Sequence, residues 1–415
     1  MLFRSQNNFI RRVNVSDSYY LKSKLIKTEK SDLSIFVNYR TLKYENPVTQ
    51  NQNSLNSRLT YNDRFFKDFV QSTTNFETVS GTIAQQEFTY LQVAAGLGTY
   101  TWNDYNNNGI QELQEFEIAP FVDQAKYVRV FLPNQTFIKT HQNKFSQSLT
   151  LSPAIWQNKT GIKRIIAHFY NQTSFLMERK IARKTDNFDL NPFENSDDLL
   201  GLNASFRNSL FFNRGKQSHS VTYTFLNNQT KNLLSVGALE NQNASHQLQY
   251  VHLLKKTWQL NLDTRNIKSE TKSENYPSRN FEIDTYSIEP KIAYLFNNNA
   301  SLDFFYLYQN KQNKINDLEN LNQTKIGTTF TYASDKKFTA NGEFSLIDNK
   351  YLGDELSAVG FTMLEGLQTG RNLTWRLLLQ KNLTQYLDIN INYQGRKSEL
   401  SETIHTGNVQ LRAFF

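Results

Sequence analysis

The sequence predicts an all-β protein, an antiparallel transmembrane β-barrel of roughly 16–22 strands with one long loop insertion. Three observations support this fold class. Segments with strict two-residue alternation recur along the chain, and this is the period at which side chains swap faces of a sheet. The composition favours strands, with 31 Phe and 21 Tyr against 7 Pro. The last residues alternate up to a terminal aromatic residue.

The clearest alternation lies in segment 387–394, which divides into an apolar and a polar face. These are, in turn, Leu387, Ile389, Ile391 and Tyr393, and Asp388, Asn390, Asn392 and Gln394. Segments 258–263 and 338–345 show the same pattern. Short polar breakers such as 227–230 and 296–299 predict turns, and the longer polar stretches 268–279 and 310–323 predict exposed loops. We expect roughly twenty strands, each spanning a membrane with about 10 residues.

Alternation also builds water-soluble sandwiches, propellers and β-solenoids, whose inner face is the core. Two features favour the barrel. The polar face is dominated by Asn, Asp, Gln, Thr and Arg through many successive strands, as a water-filled lumen requires. The other face carries aromatic residues near strand ends, where interface girdles form. These are Trp258, Tyr294, Trp375 and Tyr393.

The composition excludes several other classes of protein. No apolar run approaches the ~18 residues of a transmembrane helix, in a chain with 38% hydrophobic residues and a mean hydropathy of −0.60. The absence of Cys removes disulfides and thiolate chemistry. The net charge of +8 comes from scattered basic residues rather than one stripe, so we predict no nucleic-acid partner. The six His lack the helical spacing of zinc hydrolases.

The closing strand carries Val409, Leu411, Ala413 and Phe415 on one face. In this it resembles outer-membrane proteins of Gram-negative bacteria, whose last strand ends in Phe and is read by the barrel-assembly machinery. The resemblance implies location in the outer membrane, contact with its lipid, and recognition by that machinery through these four residues.

Segments 366–375, 393–398 and 403–407 resemble pieces of large, Asn- and Tyr-rich barrels of the Bacteroidetes type. In such proteins the barrel ends a longer exported polypeptide. The first residues contain no apolar signal-peptide core. We therefore expect Met1 to be an internal start or a boundary, with an export signal and further domains upstream.

The segment 104–115 matches D-x-[DN]-x-[DN]-G-x5-E without exception. In this pattern, side-chain oxygens at positions 1, 3 and 5 converge on a hard cation, a Gly allows the turn, the seventh residue offers its carbonyl, the ninth binds through water, and the twelfth binds bidentately. The predicted structural Ca²⁺ ligands are Asp104, Asn106, Asn108, Ile110, Glu112 and Glu115. No helix precedes the loop and no second copy exists, which argues against a regulatory sensor.

The predicted organisation is therefore barrel strands over 1–95, an inserted subdomain with an EF-hand-like loop over 96–127, and barrel strands over 128–415. The leading functional hypothesis is a non-catalytic outer-membrane module that acts as a porin-like channel, a transporter or a membrane anchor for a larger surface protein. The first alternative is a secreted, calcium-stabilised adhesin or glycan-binding module. A third is a barrel-embedded hydrolase, which needs a Ser or an acidic pair on neighbouring strands.

Overall fold

The computed structural model describes residues 2–6, 9–46, 51–84, 87–132, 137–184, 187–194, 196, 198–216, 218–234, 237–316, 318–334, 338–384, 386–399 and 401–414. Within these ranges the chain is dominated by antiparallel strands, as the alternation predicts. Eighteen strands belong to a large sheet, a number within the predicted range, and four belong to a small sheet.

In chain order the strands are β1 (Leu2–Gln6), β2 (Phe9–Lys27), β3 (Ser31–Tyr44), β4 (Gln52–Phe65), β5 (Val70–Ala84), β6 (Glu87–Gln92), β7 (Tyr100–Trp102), β8 (Phe116–Ile118), β9 (Tyr127–Leu132), β10 (Phe137–Leu151), β11 (Phe169–Ala182), β12 (Leu199–Phe212), β13 (His219–Leu234), β14 (Gly237–Leu254), β15 (Trp258–Ser273), β16 (Phe281–Asn297), β17 (Ala300–Asn313), β18 (Asn320–Ser334), β19 (Phe338–Leu352), β20 (Gly370–Thr384), β21 (Leu387–Ser398) and β22 (Ile404–Ala413). The described ranges also contain two short α-helices, α1 (Ile162–Ile166) and α2 (Ala358–Leu364). No helix within the described ranges has the length and apolar character needed to cross a membrane.

The chain divides into two compact units. In the first unit, β1 to β5 pair in sequence order, and β5 then pairs with β10, which pairs with β11. In the second unit, β15 to β22 pair in sequence order. Every one of these pairings is antiparallel, so each unit is a run of consecutive hairpins, interrupted in the first by the segment between β5 and β10.

Most strands of the large sheet are longer than about 10 residues, the length expected for spanning alone. β2 has 19 residues, β14 has 18 and β16 has 17. Two predicted loops are corrected as a result. Much of 268–279 lies in β15, and β17 and β18 extend into both ends of 310–323. Neither stretch has apolar residues in regular alternation, yet the backbone groups of their strand residues pair with the neighbouring strand.

Burial in the large sheet is inverted relative to a water-soluble protein. On β18 and β19 the large apolar side chains point outward, with Ile326 57% exposed and Phe344 49% exposed. The opposite face buries polar side chains completely, with Ser345 and Asn372 both 0% exposed. Ile326 pairs with Leu346, which is also exposed, so the apolar residues of neighbouring strands lie side by side. We call these two surfaces the exposed apolar face and the buried polar face.

In the second unit the buried polar face is covered by the segment between β19 and β20. Its helix α2 begins at a Ser357 cap that accepts a hydrogen bond from the Gly360 N–H. Val359, Met363 and Leu364 pack against Ile283 and Leu321, which forms the apolar core of this unit. Polar strand residues are bound by the same segment, because Asn349 and Asn372 both donate to the Gln368 carbonyl.

In the first unit, a loop between β11 and β12 covers the same kind of face. Buried Arg179 donates to the Asp189 carboxylate at 2.6 Å and to the Asn191 carbonyl at 3.0 Å. Phe193 packs against Phe145 and Phe175 of the strands below it. The burial of polar strand residues therefore arises from covering segments that supply hydrogen-bond partners.

Two glycines lie directly beneath aromatic rings on the adjacent strand. Gly395 pairs with Trp375, and Gly327 pairs with Phe305. A Cβ atom on either glycine would fall inside the ring opposite. Only a residue without a side chain fits at these two positions.

Candidate functional site

The candidate calcium loop is carried by the small sheet, whose strand order is β6, β9, β7, β8. β7 and β8 pair with Tyr100 opposite Ile118 and Trp102 opposite Phe116. The Asn103 N–H donates to the Glu115 carbonyl at 2.9 Å and closes the base of the loop. The small sheet is wider than the predicted insertion of 96–127, because β6 and β9 belong to it rather than to the large sheet.

The small sheet has an apolar core of the water-soluble kind. Phe88, Phe116 and Tyr127 are buried. The Phe116 ring stacks on Tyr90 with centroids 4.0 Å apart and meets Tyr127 edge-on at 5.0 Å. These contacts hold β8 against β6 and β9, and so fix the strand from which the loop returns.

Within the loop, the first three predicted ligands fold around its backbone. The Asp104 carboxylate accepts from the N–H groups of Asn108 at 3.1 Å and Gly109 at 2.8 Å. Asn106 Oδ1 accepts from the same Asn108 N–H at 3.0 Å, so the Asp104 and Asn106 oxygens share one donor and lie close together. Asn108 Oδ1 accepts from the Ile110 N–H at 2.7 Å.

The tight turn of the loop depends on left-handed backbone at two residues. Gly109 has φ of +71° and Asn107 has φ of +56°. Gly and Asn adopt this conformation with the least strain. The sequence pattern predicted the Gly for this reason, and the structure places it at the turn.

Of the two predicted glutamate ligands, Glu112 contacts one of the first three residues, and Glu115 is buried beside Trp102. Glu112 Oε2 accepts from the Asn106 side-chain amide at 2.8 Å. Glu115 is 1% exposed, and its Oε2 accepts from Trp102 Nε1 at 2.8 Å and from the Glu112 N–H at 3.3 Å. Its other oxygen, Oε1, is buried and has no hydrogen-bond partner in the described part of the chain.

The buried Glu115 Oε1 atom is the observation in this loop that bears on a bound cation. A buried carboxylate oxygen without a partner is costly, and a cation bound by Glu115 would satisfy it. Among the described residues, no three His, Asp or Glu side chains converge as a metal-binding cluster. An ion in this loop would be held by oxygens of the predicted ligands Asp104, Asn106, Asn108, Ile110 and Glu115, with Glu112 bound through a water molecule. Oxygen ligands of this kind suit calcium.

Two arginines tie the small sheet to strand ends and turns of the second unit. Arg279 donates to both oxygens of Glu117 at 2.8 and 2.9 Å, and to the Gln114 carbonyl at 2.9 Å. Arg396 pairs with both oxygens of Asp123, with Nη2 to Oδ2 at 2.8 Å, and its guanidinium lies over the Phe121 ring. The Arg396 pair is bidentate, with each nitrogen bound to a different oxygen, which fixes orientation as well as distance. In the Arg279 pair, Nη2 alone donates to both Glu117 oxygens.

The two carboxylates of these pairs are shifted in opposite directions. The hydrogen bond from Arg396 lowers the pKa of Asp123 below its usual value. Burial raises the pKa of Glu117 despite the neighbouring charge of Arg279. Sequence reasoning missed both arginines, because the partners are 162 and 273 residues apart along the chain and no local pattern joins them.

In the closing strand β22, Val409 is 67% exposed and Leu411 is 61% exposed, and Ala413 is also exposed. They pair with Ile391, Ile389 and Leu387 of β21. The predicted recognition residues therefore share one face with the apolar side of the strand before them. Phe415 lies outside the described residues.

No family model matches the chain, and no curated protein matches it in sequence. Solved structures do show similarity. The alcaligin outer membrane receptor FauA from Bordetella pertussis matches 96% of this chain and 62% of its own length, with 11% identity and a TM-score of 0.42. The FrpB iron transporter (F3-3 variant) from Neisseria meningitidis matches 92% of this chain and 59% of its own, with 11% identity and a TM-score of 0.42.

A smaller neighbour is the NanC porin, which matches 51% of this chain and 94% of its own length, with 11% identity and a TM-score of 0.28. The chain thus spans about three fifths of the length of the two larger proteins.

Proposed function

We propose that the chain is an outer-membrane β-barrel module of a Gram-negative bacterium, acting as a channel, a transporter or a membrane anchor without catalysis. The observation that carries the proposal is the inverted burial of the large sheet. A sheet that exposes Ile326, Phe344 and Leu346 to water would be poorly soluble. The same residues facing lipid, with polar side chains on the other face, form the pattern of a transmembrane barrel.

Strand edges are a second support, because unpaired backbone groups are costly in lipid and closed barrels remove them. In the second unit, strands β15 to β22 pair continuously.

The proposal is tested by expressing the full chain with an added export signal and fractionating the cells. We expect extraction only by detergent, together with a shift in gel mobility between heated and unheated samples. Recovery of a detergent-independent soluble monomer would contradict the barrel and favour the secreted adhesin or glycan-binding module. Hydrolysis of lipid or peptide by the purified chain would contradict the non-catalytic role.

We further propose that the loop from Asp104 to Glu115 binds a structural calcium ion of modest affinity. Its support is the buried, unpartnered Glu115 Oε1 at the position that binds bidentately in such loops. In the purified chain, saturating calcium at about 100 times its Kd should stabilise the small sheet by about 2.7 kcal/mol. Hydrogen exchange of residues 88–131 with calcium or with a chelator measures this effect.

The variant that should abolish the calcium effect is Glu115→Gln, and the control is Gln111→Glu. The substitution at Glu115 keeps a side chain of similar shape and removes the charge, so the difference between calcium and chelator should vanish. Gln111→Glu adds a carboxylate at position 8, which is not a ligand position, and should leave the difference intact. Equal protection in calcium and chelator for the unaltered chain would end the calcium proposal.

A further inference from the structure

A cavity of about 190 Å³ lies in the second unit, where the small sheet meets strands β19 to β22. Glu343, Arg376, Gln394 and Thr406 line it from four neighbouring strands. These four are successive register partners, Glu343 with Arg376, Arg376 with Gln394, and Gln394 with Thr406. They therefore form one row across the sheet.

The small sheet supplies another wall of the cavity through Pro120 and Phe121, and Ile404 contributes a further apolar side chain. Phe121 is held in place because Arg396 lies over its ring and binds Asp123. The cavity is thus bounded by two elements that are far apart in sequence and fixed to each other by an ion pair. Such clefts are where small molecules usually bind.

The charges around the cavity leave one cation without a direct counter-ion. Glu343 is paired with Lys325 at 2.9 Å, and Arg396 is paired with Asp123. Arg376 lies close enough to Glu343 to interact through space, but within the described part of the chain it makes no hydrogen bond or ion pair. With the two pairs neutral, the net charge is that of the Arg376 guanidinium.

One further donor at the cavity has no partner within the described ranges. Gln394 Nε2 is buried and lacks a hydrogen-bond partner among the described residues. An unpaired buried donor is costly, so a water molecule or a ligand oxygen in the cavity would complete its environment. Arg376 and Gln394 are register partners, which places a guanidinium beside an amide donor.

From this geometry we propose that the cavity binds a small organic carboxylate. The carboxylate accepts hydrogen bonds from Arg376 and from Gln394 Nε2, and the carbon body packs against Phe121 and Ile404. A guanidinium matches the planar fork of a carboxylate. The cavity is smaller than the roughly 300–1,000 Å³ typical of sites for drug-sized ligands, so a molecule of amino-acid size suits it. The proposal does not depend on the chain spanning a membrane.

The test is a titration of the purified full chain in detergent at pH 7 with butyrate, acetate or inorganic phosphate, followed by calorimetry or ligand-observed NMR. We expect butyrate to bind more tightly than acetate because of the apolar walls. Arg376→Met should weaken butyrate binding about tenfold or more, because a charge-assisted contact is lost. Gln394→Leu should weaken it several-fold without changing the charge.

The matched control is Arg207→Met, which removes one exposed arginine from β12 in the first unit and should leave binding unchanged. All variants are first checked for the gel mobility of the unaltered chain. Three results would overturn the proposal: no butyrate binding, equal weakening by Arg207→Met, or phosphate binding as tight as that of butyrate. The last result would indicate a site for inorganic oxyanions instead.

Discussion

The small sheet and the large sheet of this chain bury opposite kinds of side chain. The small sheet buries Phe88, Phe116 and Tyr127 and exposes its polar loop, as a protein in water does. The large sheet exposes Ile326 and Phe344 and buries Ser345 and Asn372. Both use two-residue alternation, so the period of the sequence identifies strands in both but does not reveal which face meets which solvent.

The difference teaches that polar residues can fill an interior when covering segments bind them. In the second unit, Asn349 and Asn372 are hydrogen-bonded by Gln368. In the small sheet the covering groups are aromatic, and Tyr90 stacks on Phe116. Burial by itself is therefore not evidence of an apolar core, and the partner of each buried group has to be identified.

The largest expected effect is on the small sheet. Phe116→Ala removes the ring that contacts Tyr90 and Tyr127, and burying less aromatic surface should cost about 3–5 kcal/mol. Hydrogen exchange should show loss of protection across 88–131 while the large sheet keeps its protection. The matched control is Phe344→Ala on the exposed apolar face, which should leave 88–131 protected. Equal loss in both variants would show that the two regions do not differ in this way.

A somewhat smaller effect is expected from a charge on the large sheet. Ile326→Arg places a cation on the exposed apolar face, at a cost of about 2–4 kcal/mol if the residue lies near the middle of the bilayer. Thr329→Arg lies on the same strand but faces the opposite side, so it should cost little. The fraction of heat-modifiable chain in the membrane measures both. Similar yields for the two variants would argue against a lipid-facing surface.

The smallest effect is expected from the ion pair between Asp123 and Arg396, which links the small sheet to the large sheet. Because its folded pKa is lowered, Asp123 contributes stability above its unfolded pKa and loses it as pH falls through the folded value. The partly buried pair should contribute about 1 kcal/mol. Protection of 88–131 should therefore hold from pH 7 to about 4 and fall below it. In Asp123→Asn the protection should be lower at pH 7 and depend less on pH.

Glu117 should affect stability in the opposite direction with pH, and Glu117→Gln tests this. The pKa of Glu117 is raised by burial, so its ionisation opposes folding and its contribution is lost as pH rises. In Glu117→Gln, the protection of the small sheet should depend less on pH near and above the usual pKa of Glu. The loss of protection in acid that Asp123 causes should remain. An unchanged acid profile in Asp123→Asn would remove that carboxylate as its cause.

Local sequence was sufficient for the strands with clear alternation and for the turn of the loop, and insufficient for contacts between distant segments. Alternation at 387–394 predicted β21, and the spacing from Asp104 to Gly109 predicted the turn with its left-handed Gly. The arginines at 279 and 396 were not foreseen, because their partners come from distant segments. The polar stretch 310–323 was assigned to a loop because its strand residues lack a marked apolar face.

The glycines beneath Trp375 and Phe305 bear on how the hairpins choose their alignment during assembly. A slip by one residue is prevented by alternation, because it moves every apolar side chain to the wrong face. A slip by two residues leaves every side chain on its original face of the sheet, so alternation does not oppose it. It would place Tyr393 or Lys397 opposite Trp375 in place of Gly395. The fit of the ring over the glycine therefore selects one strand register among the registers that keep every apolar side chain on the same face.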